Sequence, residues 1–158
     1  MQLQGKHWLI LGGSISTAIA LLHIAIIFGG APAYRYFGAG EEMAQMASSG
    51  SVLPALITLF IAVILVLWGL YAFSGAGLIR YLPLLRIGLV VIASIYTLRG
   101  IGVIPQVAWM IKSPKSVAPQ DIVFSLVSLL AGIVYFVGTI STWKLLTASR
   151  QAEQSKNQ

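Results

Sequence analysis

The stretch IVFSLVSLLAGIVYFVGTIST, residues 122–142, is long and apolar enough to cross a bilayer, yet small and polar residues recur through it. Ser125, Ser128, Gly132, Tyr135, Thr139 and Thr142 follow one another in alternating steps of three and four. Steps of that size return to one face of an α-helix. In lipid such a seam lets backbones approach closely, because dispersion and hydrogen bonds drive helix association where the hydrophobic effect cannot. The stretch therefore predicts a membrane helix of an antiparallel bundle, its seam packed against a neighbouring helix of this chain or of a partner.

The rest of the chain repeats this pattern. Of its 158 residues, 58% are hydrophobic and only 9% are charged, whereas a soluble domain is about a quarter charged. The mean hydropathy is +0.88. A span needs about 20 residues, rising about 1.5 Å each across about 30 Å of hydrocarbon. Blocks of that length lie at about 8–28, 53–73, 84–104 and 122–143. The fold class expected is an all-α integral membrane protein, an antiparallel bundle of four transmembrane helices occupying residues 1–146, with a polar cytoplasmic tail over 147–158. That tail, SRQAEQSKNQ at its end, is expected to be disordered. In the first block Gly12, Ser16, Ala20 and His23 share a face, and in the second Thr58, Ala62, Leu65, Gly69 and Ala72 do. Trp68 and Tyr71 are expected to anchor at the headgroups.

Lys6, Arg80, Arg86, Lys144, Arg150 and Lys156 flank one side of these spans. Arg35, Lys112 and Lys115 flank the other, with Glu41, Glu42 and Asp121. Since cytoplasmic flanks carry the excess of Lys and Arg, both termini are expected in the cytoplasm. Lys6 before an apolar run, with Ala31-Pro32-Ala33 beyond, has the outline of a signal peptide. The run is too long for the usual h-region and a proline occupies the cleavage site, so the segment is expected to remain as the first span.

The formal charge of +6 is spread over loops and ends, not gathered into the dense basic patch that nucleic acid requires. With no cysteine there is no thiolate ligand, disulfide or cysteine nucleophile. His7 and His23 lie 16 residues apart on one helix, about 24 Å by rise, which rules out their pairing on a haem. His23 with carboxylates is a weak zinc set, and Met43 with Met46 too few sulfurs for copper. No span interior carries the carboxylate a proton-coupled exporter needs. Neither a phosphate-cradling glycine loop nor a nucleophile elbow is present, so no catalytic residue and no cofactor are specified.

One cluster stands out. His23 and Arg99 each lie about five residues inside the outer end of a span, at equal depth about 8 Å below the boundary. An arginine at the centre of a span costs at least about 2.5–3.5 kcal/mol on insertion scales, so Arg99 must snorkel or find an acceptor. The first loop, through GAGEEMAQMASS (residues 38–49), predicts a short interfacial helix starting after Gly40 with Glu41 and Glu42 in its first turn. If that loop folds over the bundle mouth, a glutamate reaches Arg99 and roofs a polar pocket. His23 and Arg99 would floor it, and Tyr34, Tyr96 and Gln106 would wall it. The plainer readings are that His23 bonds a neighbouring helix, Arg99 clamps loop carbonyls, and Glu41, Glu42 and Asp121 complement helix starts. The third loop, PQVAWMIKSPKSVAPQD with its three prolines, is expected to be irregular and pressed on the membrane surface.

GAPAYRYFGAGEEMA, WGLYAFSGAGLIRYLPLLR and YTLRG together resemble a group of short four-span bacterial inner-membrane proteins of no known activity. The resemblance covers about residues 8–143 and implies a bacterial inner-membrane location. A looser similarity in size and layout to DoxX-like proteins carries no residues over. Three functions are then expected, in this order. The first is binding of a small polar, anionic, lipid-like or quinone-like ligand in the outward pocket. The second is a structural subunit that self-associates or packs on a larger membrane complex through its seams, and the third an oligomeric transporter or channel.

Overall fold

The computed structural model describes residues 2–113 and 118–156, with side chains over 5–113 and 118–143. Every element among them is helical: α1 (Gln2–Tyr36), α2 (Glu41–Ser48), α3 (Leu53–Gly75), α4 (Leu85–Ile101), α5 (Val103–Lys112) and α6 (Pro119–Lys156). Four helical stretches are long and apolar enough to cross a membrane: Gly5–Tyr36, Leu53–Gly75, Leu85–Lys112 and Pro119–Trp143.

The first of these is not straight. Gly30 has φ 61° and ψ −149°, a conformation essentially restricted to glycine, so α1 breaks there. Pro32, which has no N–H to donate to the preceding turn, begins the redirected segment 31–36. Beyond it, positive φ at Gly38 and Gly40 turns the chain into α2, which starts at Glu41 as the sequence predicts. The turn between α3 and α4 is tied by Ser74. Its Oγ donates to the Arg80 carbonyl at 2.9 Å and accepts the Leu82 N–H at 3.0 Å.

Helix α1 packs on α3 and α6, and α4 packs on α6. The glycines of the seams set these approaches. A Cβ at Gly69 would lie 2.9 Å from Thr17 Oγ1 and 3.2 Å from the Gly13 carbonyl, so α1 and α3 touch backbone to backbone. A Cβ at Gly12 would meet the Tyr135 ring, one at Gly138 the Leu9 side chain, and one at Gly132 or Gly100 the Thr97 or Leu129 backbone. Every stripe residue named from the sequence in α3 and α6 is buried, as are Gly12, Ser16 and Ala20 in α1. The seams face into this chain. The residues between them, such as Leu56, Phe60, Val63 and Leu67 of α3, are exposed.

Three expectations are corrected. The third loop is not irregular throughout, because residues 103–112 form α5; its Pro105 falls in the first turn, where a missing N–H costs little. Pro114 and Lys115 of that loop lie outside the described residues. The tail is helical to Lys156, its Ala, Gln, Glu, Arg and Lys residues being compatible with a continued helix and free of Gly or Pro. Trp68, expected to reach outward as an anchor, is turned partly inward: it is half-buried, with its ring edge-on to Tyr96 at 4.9 Å between centroids.

Candidate functional site

The residues expected to form one outer pocket are distributed over five separate environments. Tyr96 is 4% exposed in the main core. Its hydroxyl lies 2.9 Å from Ser16 Oγ, which lies 2.8 Å from the Tyr135 hydroxyl, which donates to the Trp68 carbonyl at 3.0 Å. Because Tyr135 has one hydroxyl hydrogen and spends it on Trp68, Ser16 donates to Tyr135 and Tyr96 donates to Ser16. The chain of donors therefore runs Tyr96, Ser16, Tyr135, Trp68 carbonyl, joining α4, α1, α6 and α3. The polar groups satisfy one another and leave nothing directed at a ligand.

At the end where α1 turns over, Tyr34 is 2% exposed and packs with Ile26 and Ala44, flanked by Phe37, Met43 and Ala47. Its hydroxyl has no hydrogen-bond partner among the described residues. Phe37 stacks on Phe124 at 5.6 Å, and Gly38 lies against the Asp121 carboxylate, which fixes this cap to the start of α6. Glu41 pairs with Arg35, not Arg99: Arg35 Nε donates to Oε2 at 2.8 Å and its Nη2 to Oε1 at 2.9 Å. Those bonds hold the Glu41 carboxyl below the usual carboxylate range. Gln45 adds a longer bond to the same carboxylate. Glu42 is exposed.

The remaining three stand apart. His23 is half-buried, its Nδ1 donating to the Ile19 carbonyl one turn back at 2.8 Å. Arg99 is exposed in the last turn of α4, where a cation complements the helix dipole. Gln106 accepts at Oε1 from Ser125 Oγ at 2.9 Å, tying α5 to α6. Thus Tyr34, Glu41 and Glu42 share a cap, while His23, Tyr96, Arg99 and Gln106 do not join it around a common space.

The opposite end of α6 holds a site that sequence reasoning missed. An open groove of about 330 Å³ is lined by Arg86, Ile87, Val90 and Val91 of α4 and by Trp143 of α6. The Arg86 guanidinium carbon sits 3.9 Å over the Trp143 ring, a cation–π contact that holds the planar group against one wall. Its Nε is buried with no hydrogen-bond partner among the described residues. Burying a donor of a charged group unpaired is costly, and the guanidinium that carries it lines the groove, where an anion would meet its charge. The remaining wall is aliphatic among the described residues. The signal available in the sequence was an arginine one residue inside a helix and a tryptophan at a span end, both ordinary headgroup anchors; their meeting depends on how α4 and α6 pack.

Among the described residues no cluster of three or more His, Asp or Glu side chains could hold a metal ion. No family model, curated protein or solved structure matches this chain.

Proposed function

We propose that this chain is a multi-pass bacterial inner-membrane protein, an antiparallel four-helix bundle with both termini cytoplasmic, that binds an anionic ligand without transforming it. The membrane reading is supported by inverted burial, with hydroxyls inside the bundle and the large aliphatic residues of α3 outside. The antiparallel reading is supported by the order of contacts. Along α1, Leu9, Gly13 and Thr17 meet Gly75, Phe73 and Gly69 of α3 in descending order. The excess of Lys and Arg around both termini and the α3–α4 turn puts those parts on the cytoplasmic side, and the cap with α2 at the outer interface.

The observation that carries the binding reading is the Arg86 guanidinium lining an otherwise apolar groove, its Nε without a hydrogen-bond partner among the described residues. It moves the expected cation from Arg99 at the outer end to Arg86 at the inner end. Self-association through the seams loses its support, because those seams are consumed within one chain.

Native mass spectrometry of protein extracted in mild detergent tests this. Wild type and Arg99→Ala are expected to carry one discrete adduct that Arg86→Gln lacks. An adduct lost in Arg99→Ala and kept in Arg86→Gln would return the site to the outer end.

A further inference from the structure

We propose that the Arg86 cavity is a seat for an anionic membrane phospholipid, with the phosphate on Arg86 and an acyl chain lying along Ile87, Val90 and Val91. The inference rests on the binding reading above and names the ligand class.

Position selects an amphiphile over a soluble anion. Arg86 is the second residue of α4, immediately after the turn that carries exposed Arg80, and so lies at the headgroup level. Ile87 is next to it, and Val90 and Val91 lie three and four residues beyond Ile87 on the same face, descending one helical turn into the apolar part of the span. A ligand filling the cavity thus meets charge at its shallow end and hydrocarbon at its deep end, the profile of a lipid. Ile87 and Val91 are 61% and 48% exposed, so the deep end opens sideways to the bilayer and an acyl chain enters without leaving it.

Charge selects among lipids. Arg86 and Arg80 are at this end, whereas the acids whose side chains are described, Glu41, Glu42 and Asp121, belong to the end where α1 turns over. The fourth acid, Glu153, lies ten residues beyond Trp143 along α6, about 15 Å further by rise, so no acid with a described side chain offsets Arg86. The guanidinium offers a planar fork suited to phosphate oxygens, and the Trp143 ring, occupying one face, leaves the in-plane donors available. A net negative headgroup is preferred to a zwitterionic one whose ammonium would return a positive charge to the same place.

The test uses the full chain in phosphatidylcholine bilayers containing a small fraction of brominated-tail lipid, which quenches nearby tryptophan. Brominated phosphatidylglycerol is expected to quench more than brominated phosphatidylcholine at equal mole fraction. The expected local enrichment is about fivefold, the discrimination one arginine near a surface carries. That excess should vanish in Arg86→Gln and also in Trp143→Phe, which removes the reporter at the cavity but leaves the arginine; the second variant decides the matter if the first misfolds. Unbrominated phosphatidylglycerol should abolish the excess, and millimolar inorganic phosphate should not. Equal quenching by the two lipids, or an excess surviving in Trp143→Phe, overturns the proposal. Displacement by inorganic phosphate also overturns it, while leaving an anion site at Arg86 intact. The binding reading itself fails separately, on the absence of an Arg86-dependent adduct.

Discussion

Ser16 is the residue on which the four packed helices converge, since its hydroxyl both accepts from Tyr96 and donates to Tyr135. Replacing it with alanine orphans the Tyr96 hydroxyl in a core with no other described partner for it, whereas Tyr135→Phe leaves the Ser16–Tyr96 bond intact. Ser16→Ala is therefore expected to destabilise by about 1–3 kcal/mol; Tyr135→Phe removes two bonds, from Ser16 and to the Trp68 carbonyl, but orphans no tyrosine hydroxyl, and is expected to cost less, about 1 kcal/mol at about 0.6 kcal/mol for each bond in a membrane bundle. Reversible unfolding in mixed micelles, with the double mutant closing a cycle, measures both. Equal costs would mean that the network is not directional as described. The Arg35–Glu41 pair obeys a different rule because it is exposed. Glu41's folded carboxyl lies below the ordinary range, so the contribution of the pair is complete above the unfolded carboxylate value and is lost as pH falls through the lowered folded one. Titrating the Glu41 carboxyl by NMR in wild type and Arg35→Gln is expected to show the midpoint rising toward the usual carboxylate value in the variant.

At the scale of elements, helix geometry explains what sequence could reach. A stripe is a local property, fixed by the helical repeat, so Thr58, Ala62, Leu65, Gly69 and Ala72 could be assigned to one helix face before any packing was known; that the face turns into this chain and not toward a partner comes from the fold. Helix α2 was similarly legible from Gly40 and two glutamates at its start. Contacts that depend on how one helix is rotated against another are harder to reach. A first loop folded over the mouth would bring Glu41 or Glu42 to Arg99, but Glu41 bonds an arginine six residues away across a glycine turn. Arg86 and Trp143, 57 positions apart, offered no local signal at all. Helix α5 was hidden by counting prolines without weighing their positions. The seam glycines yield a prediction of their own. Gly132→Leu must displace the Thr97 backbone and is expected to cost at least about 1–3 kcal/mol by overpacking. Leu130→Ala, on the exposed side of the same helix, should remain monodisperse in size-exclusion chromatography. Gly30→Ala has open space around it, so its expected cost of about 1–3 kcal/mol is torsional. It should loosen the cap, seen as faster hydrogen exchange over 31–48, without disturbing α3, α4 or α6.

The whole molecule is a bundle with unlike ends. One end is a folded cap in which α2 and the redirected tip of α1 cover Tyr34 and lean on Phe124. The other is a tight turn beside the Arg86 cavity. Between them the interior is closed by reciprocal hydroxyl bonds, which fits a scaffold that presents a site at one face better than a conduit through its centre. The functional account stands on those two ends lying on opposite sides of a membrane. Because the chain has no cysteine, single replacements at exposed positions report this without background: Glu42→Cys in the cap and Leu78→Cys in the α3–α4 turn. In spheroplasts treated with a membrane-impermeant maleimide, Glu42→Cys is expected to be labelled at once and Leu78→Cys only after permeabilisation. Labelling of both positions in intact spheroplasts, or of Leu78→Cys alone, would contradict the account.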